Sequence, residues 1–231
     1  MQPLVLQQAV GKGCPNRSED VLAVQKRLEE IGVIAGHPPA SEMTDFLVEG
    51  ILAVQRHFMS HPDGRIDVGG RTMNFLSRWQ KKPISPGVQL PGRLQEAWDL
   101  VDPLLPEGSY CSSGYRSADD QRRILHEFFE KSYRKQIIAR YGEKRYDEVS
   151  ANLLAHEKAV LEMVRGVGQA IAAPGASAHQ QGRAIDVGGP SAIDNEQVEI
   201  IRLVARVHSG LFSGKVLKER NGCVHFEIVE G

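Results

Sequence analysis

In the first 80 residues, apolar positions recur every three to four residues, which is the spacing of amphipathic helices. A first helix is predicted to start with Ser18 as its N-cap and to stop at Gly32, with an apolar stripe formed by Val21, Val24, Leu28 and Ile31. The tetrapeptide Leu-Ala-Val-Gln occurs at 22–25 and again at 52–55. This internal repeat indicates two equivalent helices.

The second copy is predicted to begin at Thr44 or Asp45 and to bury a stripe formed by Val48, Ile51, Val54 and Phe58. A Pro-Asp-Gly turn follows at 62–64. A third helix is expected from about Arg71 to Trp79. Three short helices in succession predict a small helical domain.

A change in composition marks the predicted domain boundary. Residues 83–90 contain two prolines and one glycine and show no apolar periodicity, as expected for a linker. The chain is therefore expected to divide into a helical domain at 1–82, this linker, and a larger domain at 91–231. In the larger domain, short apolar runs at 184–187 and 224–228 have the pattern of strands, and helical periodicity separates them. The combination predicts an α+β fold.

Composition narrows the function classes. The chain has 231 residues, 41% of them hydrophobic, and its net charge of −1 argues against a nucleic-acid-binding protein. No apolar run is long enough to cross a membrane, and the first residues lack the features of a signal peptide. Three cysteines, Cys14, Cys111 and Cys223, are expected as mostly free thiols, with a bridge between the last two as the alternative. Nothing in the sequence requires more than a monomer.

Polar residues interrupt both predicted strands of the larger domain. Asp186 lies within the apolar run 184–187, and His225 and Glu227 alternate with apolar neighbours, so that they share one strand face. A buried carboxylate or imidazole needs a partner. Together with His179, Asp186 and His225 offer two imidazoles and one carboxylate, a ligand set of catalytic zinc. A His–Asp hydrogen bond without a metal is the alternative interpretation.

Three motifs occur in a characteristic order. Ser-Gly-Tyr-Arg-Ser lies at 113–117, Ser-x-His-x-x-Gly-x-Ala-x-Asp at 177–186, and a late His-Phe-Glu at 225–227, with Gln121 shortly after the first motif. Over most of the larger domain the chain resembles the D-alanyl-D-alanine carboxypeptidase family of zinc peptidases. That family includes the vancomycin-resistance D,D-peptidases and the L-alanyl-D-glutamate endopeptidases of phage lysins. The resemblance implies a central antiparallel sheet flanked by helices.

The resemblance also implies roles for single residues. The ligands of a Zn²⁺ ion would be His179, Asp186 and His225. Arg116 would clamp a carboxylate or carbonyl of the peptide, because a guanidinium offers forked, planar donors. Gln121 would support that clamp through a hydrogen bond, and Ser177 would contact the substrate near the metal.

One position departs from the family pattern. Most relatives carry a catalytic Glu or Asp three residues before the last histidine, where this chain has Gly222. Glu219 is the first candidate for the missing base. Glu227 is the second, or it is instead a hydrogen-bonding partner of the ligand His225. A site that binds zinc without hydrolysis is the remaining alternative, which would make the protein a non-catalytic wall- or metal-binding protein.

The predicted N-terminal domain resembles the bacterial peptidoglycan-binding domain, through its paired Ala-Val-Gln motifs and the Asp-Gly-x-Ile at 63–66. A helical domain without a ligand is the alternative. The expected function is zinc-dependent cleavage of the peptidoglycan stem peptide, at the D-Ala-D-Ala or the L-Ala-D-Glu bond. The protein would be made in the cytoplasm without a signal peptide. It would reach the periplasm or wall as a phage lysin or an injected effector, with a delivery machine or an immunity protein as partners.

Overall fold

The structure is a computed structural model that describes residues 3–219 and 222–230. Within this part of the chain, nine α-helices accompany antiparallel sheets of two and four strands, which confirms the predicted α+β class. Contacts divide the chain into two units. One consists of Met1–Ser113 with Ile185–Gly231, and the other of Gly114–Ala184.

The first unit begins with the three predicted helices. They are α1 (Ser18–Glu30), α2 (Asp45–Gln55) and α3 (Arg71–Arg78). The prediction of Ser18 as N-cap is wrong by one position, because Arg17 holds that place without a side-chain capping bond. Acidic residues in the first turn of α1 favour the helix start instead. Thr44 does cap α2, since its side chain accepts a hydrogen bond from the N–H of Leu47.

A two-stranded ribbon joins the segment before α1 to the segment between α2 and α3. β1 (Val10–Gly11) pairs antiparallel with β2 (Arg65–Ile66). Gly11 has a φ of 120°, and a Cβ there would lie 2.1 Å from the carbonyl oxygen of Gly64. Only glycine fits this close approach of two backbones.

The repeated Leu-Ala-Val-Gln motif has a structural explanation in its glutamines. Gln25 and Gln55 are both buried, and each side-chain amide holds the loop that follows its helix. Gln25 Oε1 accepts from the N–H of Ala40 at 2.7 Å, and its Nε2 donates to the carbonyl of Pro38 at 3.0 Å. Gln55 bonds the loop at 63–65 in the same manner. The repeat therefore stabilises two loops and needs no ligand to explain it.

Replacing Gln55 with alanine is expected to lower the free energy of unfolding by about 2–4 kcal/mol. Its Oε1 accepts from the N–H of Gly64 at 2.8 Å, and its Nε2 donates to the carbonyl of Arg65 at 2.8 Å. Truncation leaves these buried groups without partners. Urea titration of the purified protein measures the loss. The control is Gln95→Ala, which removes only a bond to Asp99 at the surface and should cost less than about 0.5 kcal/mol. Equal small losses would contradict the prediction.

The larger sheet carries the candidate site. Its strands, in order across the sheet, are β3 (Tyr110–Ser113), β4 (Ala184–Gly188), β6 (Val224–Ile228) and β5 (Phe212–Lys218). The helices α4 (Arg93–Val101) and α9 (Asp194–Val207) pack against it. The predicted antiparallel sheet with flanking helices is confirmed. The two strands that polar residues interrupt, β4 and β6, lie side by side at its centre.

The predicted linker runs alongside the first strand of this sheet. The N–H of Ser85 donates to the carbonyl of Cys111 at 2.9 Å, and the N–H of Cys111 donates to the carbonyl of Pro83 at 2.9 Å. Residues 83–85 are therefore held by β3. The first unit extends across the whole segment, so the domain boundaries expected at 82 and 91 stay a prediction.

A buried carboxyl group lies directly after α4. Asp102 is 2% exposed, and its Oδ2 accepts from the N–H of Lys82 at 3.1 Å. Its Oδ1 has no hydrogen-bond partner among the described residues. Burial raises the pKa of Asp102 to about 7, against the opposing effects of the Lys82 N–H and the Lys81 charge. The carboxyl group of Asp102 thus connects the end of α4 to Lys82, the residue before the predicted linker. One of its two oxygens is buried without a hydrogen bond.

The second unit, Gly114–Ala184, is mostly helical. α5 (Ala118–Glu127) is capped by Ser117, whose hydroxyl accepts from the N–H of Asp120 at 3.0 Å. One π-helical turn follows at Phe128–Ser132, and then come α6 (Arg134–Tyr141), α7 (Glu143–Ser150) and α8 (Glu157–Gly166). They enclose a separate apolar core that includes Leu125, Phe129, Ile137, Val149 and Val164. No helix within residues 3–219 or 222–230 is long and apolar enough to cross a membrane.

Candidate metal centre

Two of the predicted metal ligands lie on the central strands. Asp186 in β4 and His225 in β6 are both buried, and Oδ1 of Asp186 lies 2.8 Å from Nδ1 of His225. Ser112 on β3 donates its hydroxyl proton to the main-chain carbonyl of Asp186 at 3.0 Å. The pairing of β4 with β6 therefore brings together two polar groups that lie 39 residues apart in sequence.

His179 lies on the turn that leads into β4. Its Nδ1 is 2.8 Å from the carbonyl oxygen of Gly114. A carbonyl only accepts, so Nδ1 carries the proton and Nε2 has the lone pair that a metal needs. Gly182 closes the turn with a φ of 65°, and its N–H donates to the carbonyl of His179 at 3.2 Å. The chain bends tightly at Gly182, because this backbone conformation suits glycine.

His179, Asp186 and His225 form a cluster that can hold a metal ion. One ligand atom of each lies within 4.8 Å of the others, and all three residues are buried. Two neutral imidazoles and a carboxylate form a donor set that fits zinc with an open fourth position. Residues 3–219 and 222–230 contain no second cluster of this kind. The Asp186–His225 hydrogen bond expected from the alternative interpretation is present as well.

Glu227 lies on the outer side of the cluster. Its Oε1 is 3.2 Å from Nε2 of His225 and 2.6 Å from Nζ of Lys215. Burial raises the pKa of Glu227, but the hydrogen bonds from Lys215 and His225 outweigh it, so that the pKa is lowered overall. Glu227 is therefore an ionised acceptor that orients the ring of His225, with Nδ1 turned towards Asp186.

The charge around His225 favours its protonated form in the absence of a metal. Burial alone lowers the pKa of this histidine, but the hydrogen bond and the charge of Asp186, with Glu227 and Glu219, raise it overall. A cation at this place is thus stabilised by three carboxylates. A bound metal ion would benefit from the same charges.

The three residues predicted to bind substrate lie around His179 and α5. Nη1 of Arg116 donates to Oε1 of Gln121 at 3.1 Å, and the N–H of Arg116 donates to the carbonyl of His179 at 3.3 Å. The buried Gln121 donates from Nε2 to the carbonyl of Ala172 at 3.1 Å. Ser177 is also buried, and its Oγ accepts from the N–H of His179 at 3.3 Å. Gln121 therefore holds Arg116 as predicted, while the substrate contacts of all three stay predictions.

Glu219 and Gly222 lie in the connection between β5 and β6. The N–H of Gly222 donates to the carbonyl of Glu219 at 3.1 Å, and Gly222 has a φ of 85°, where a residue with a side chain is strained. Glu219 is exposed, and its charge acts on the pKa of His225. The loop 220–222 is the segment predicted to fold Glu219 back over the metal, and its residues 220 and 221 lie outside the described residues.

The three cysteines form no disulfide with one another, as mainly expected. Cys111 lies on β3, and burial raises its pKa to about 12. Cys223 precedes β6, and its Sγ is 3.6 Å from Oγ of Ser112. The alternative of a Cys111–Cys223 bridge is not found in the structure.

A comparison with models of known protein families gives a match that includes part of this site. Residues 107–210 match the family model VanY, D-alanyl-D-alanine carboxypeptidase. This part of the chain, slightly less than half of the whole, is similar to that family, as the resemblance predicts. The match points to a hydrolase that acts on peptidoglycan.

The matched segment contains most of the candidate site but not all of it. Arg116, Gln121, Ser177, His179 and Asp186 lie inside it. The residues beyond its end are Glu219, His225 and Glu227, and the N-terminal helices precede it. Searches of the curated proteins and of the solved structures found no match.

Proposed function

We propose that the protein is a zinc-dependent peptidase that hydrolyses the stem peptide of peptidoglycan, at the D-Ala-D-Ala or the L-Ala-D-Glu bond. The observation that carries the proposal is the buried cluster of His179, Asp186 and His225, which offers the donor set of catalytic zinc. The carboxypeptidase family match over residues 107–210 supports the choice of substrate.

Each residue around the cluster has a task in this reaction. A bound zinc ion supplies a Lewis acid for the scissile carbonyl and lowers the pKa of water to about 7. Arg116, held by Gln121 at 3.1 Å, binds a carboxylate of the substrate. Glu227 fixes the ring orientation of His225 through Nε2. Glu219, exposed beside this histidine, takes a proton from the attacking water and returns it to the leaving amine.

The test is mass spectrometry of muropeptides after the purified protein is incubated with intact peptidoglycan. One sample contains added zinc and the other a chelator. We expect loss of a terminal alanine for D-Ala-D-Ala cleavage, or release of stem fragments for L-Ala-D-Glu cleavage. Either product should disappear with the chelator. Cleavage that survives the chelator would refute the zinc dependence.

A second candidate is a non-catalytic protein that binds the wall or a metal. One observation favours it: Gly222 occupies the position of the usual base in a conformation with a φ of 85° that does not suit a side chain. No cleavage in the muropeptide assay, with zinc still bound to the protein, would select this candidate.

The proposed setting is the cell wall. The N-terminal helices would bind peptidoglycan and raise the local concentration of the stem peptide at the peptidase domain. A phage lysin and an injected effector both fit this arrangement. Sedimentation of the protein with purified wall sacculi in the presence of a chelator tests the wall-binding role separately from cleavage.

A further inference from the structure

A cavity of about 580 Å³ lies in the second unit, where the chain leaves α8. Its lining consists of Arg165 and residues 168–172. Arg165 lies in the last turn of α8, and residues 168–172 follow the helix and form neither helix nor strand. The segment then leads through Pro174 to the turn that carries His179. The cavity has no function in the site described above.

The backbone of this segment contains N–H groups whose carbonyl neighbours are already hydrogen-bonded. Its carbonyls already have partners: that of Ala170 accepts from Gln169 Nε2 at 3.2 Å, that of Ile171 from Arg165 Nε at 2.9 Å, and that of Ala172 from Gln121 Nε2 at 3.1 Å. The N–H groups of Ala170, Ile171 and Ala172 make no hydrogen bond to any described residue. A ligand at this surface therefore meets donors and must supply acceptors.

Arg165 adds a positive charge to the same surface. It is exposed, and no carboxylate among the described residues lies within salt-bridge distance of its guanidinium. Its Nε is used by the carbonyl of Ile171, which holds the side chain against the segment. The two terminal amino groups of the guanidinium remain as a forked pair of donors. Such a pair matches the geometry of a carboxylate.

We propose that this cavity binds a second carboxylate of the stem peptide, distinct from the one assigned to Arg116. The inference rests on the proposed function for the identity of the ligand. Arg165 pairs with the carboxylate, and the N–H groups of 170–172 donate to carbonyls of the same peptide. The occupant is an extended, acceptor-rich and anionic peptide, because the N–H groups of 170–172 and the guanidinium of Arg165 are donors and the latter is a cation.

A chain of hydrogen bonds connects the two carboxylate sites. Ala172 adjoins Ile171, which contacts Arg165, and the carbonyl of Ala172 is bonded to Gln121. Gln121 in turn holds Arg116 at 3.1 Å. A peptide that fills the cavity and reaches Arg116 runs along this connection. The cavity therefore selects peptides that carry an additional carboxylate away from their C-terminus.

The experiment measures binding without turnover, by calorimetry on the full chain in the presence of a chelator. The probes are a stem pentapeptide with a free glutamyl α-carboxylate and the same peptide with that carboxylate converted to an amide. Both keep the terminal carboxylate. We expect the amide to bind the unsubstituted protein about five- to tenfold more weakly. In R165Q the two peptides should bind alike, within about twofold.

R140Q is the matched control. Arg140 is an exposed arginine of the same unit, and its guanidinium lies over the ring of Tyr141, away from the cavity lining. This variant should keep the full preference for the free carboxylate. The inference is overturned if R165Q keeps the preference, if R140Q loses it, or if the unsubstituted protein binds neither peptide.

A third peptide, amidated only at its C-terminus, separates the inference from the proposed function. Its loss of affinity should depend on Arg116 and be the same in R165Q as in the unsubstituted protein. Failure of this probe alone refutes the assignment of Arg116. Failure of the glutamyl amide alone refutes the cavity and leaves the proposed reaction standing.

Discussion

Replacing Asp186 with asparagine should remove bound zinc and lower peptide hydrolysis by roughly a thousandfold or more. The carboxylate is the only anionic member of the cluster, and its Oδ1 lies 2.8 Å from Nδ1 of His225. An asparagine keeps the size and the hydrogen-bond acceptor, so β4 should stay folded while a negatively charged ligand is lost. Zinc content by elemental analysis and release of alanine from peptidoglycan measure the two effects.

Asp102→Asn is the matched control for this substitution. Asp102 is also a buried carboxyl group, but it lies after α4 and outside the cluster. The control should keep both zinc and activity. Full activity in the Asp186 variant, or an equal loss in both variants, would show that the cluster is not the metal site.

Glu219→Gln should lower the rate of hydrolysis about 10²- to 10⁴-fold and leave zinc in place. Glu219 is exposed and no hydrogen bond of its side chain is found among the described residues, so its loss affects proton transfer and not the ligands. Glu227→Gln should instead weaken zinc binding about 10- to 100-fold, because this carboxylate accepts from Nε2 of His225. Zinc titrations and turnover rates on both variants separate the two roles.

The two glutamate substitutions can also give the opposite result. If Glu227→Gln keeps its zinc and loses the rate, while Glu219→Gln is normal, the roles are exchanged. If neither substitution matters, both assignments are wrong. Glu199→Gln, on the exposed face of α9, is the control that should change neither quantity.

Local patterns in the sequence predict much of this fold. The second central strand is found at Val224–Ile228, as the alternation of apolar and polar residues predicts, and Thr44, one of the two predicted starts, caps α2. These features depend on neighbours within a few residues. The three-residue cluster was predictable for a different reason, because the motifs around His179, Asp186 and His225 resemble those of a known family.

The surroundings of the cluster were not predictable, because they depend on how distant segments pair. Lys215 reaches Glu227 through the β5–β6 pairing, whose register shifts between Phe212 and Val216. The main-chain carbonyl of Gly114 determines which ring nitrogen of His179 carries the proton. Every residue has such a carbonyl, so the sequence does not reveal this contact. Likewise, Ala172 and Arg165 show no motif, and only the folded chain reveals the donor surface beside them.

Asp102 couples the folding of this chain to the uptake of a proton. An unfolded aspartate titrates near pH 4, whereas the folded chain holds this proton until about pH 7. The stabilisation from the protonated carboxyl is complete below about pH 4 and is lost as the pH rises towards 7. Mildly acidic surroundings therefore strengthen the connection between α4 and the chain before β3, and alkaline ones weaken it. This part of the chain is thus most firmly held at mildly acidic pH.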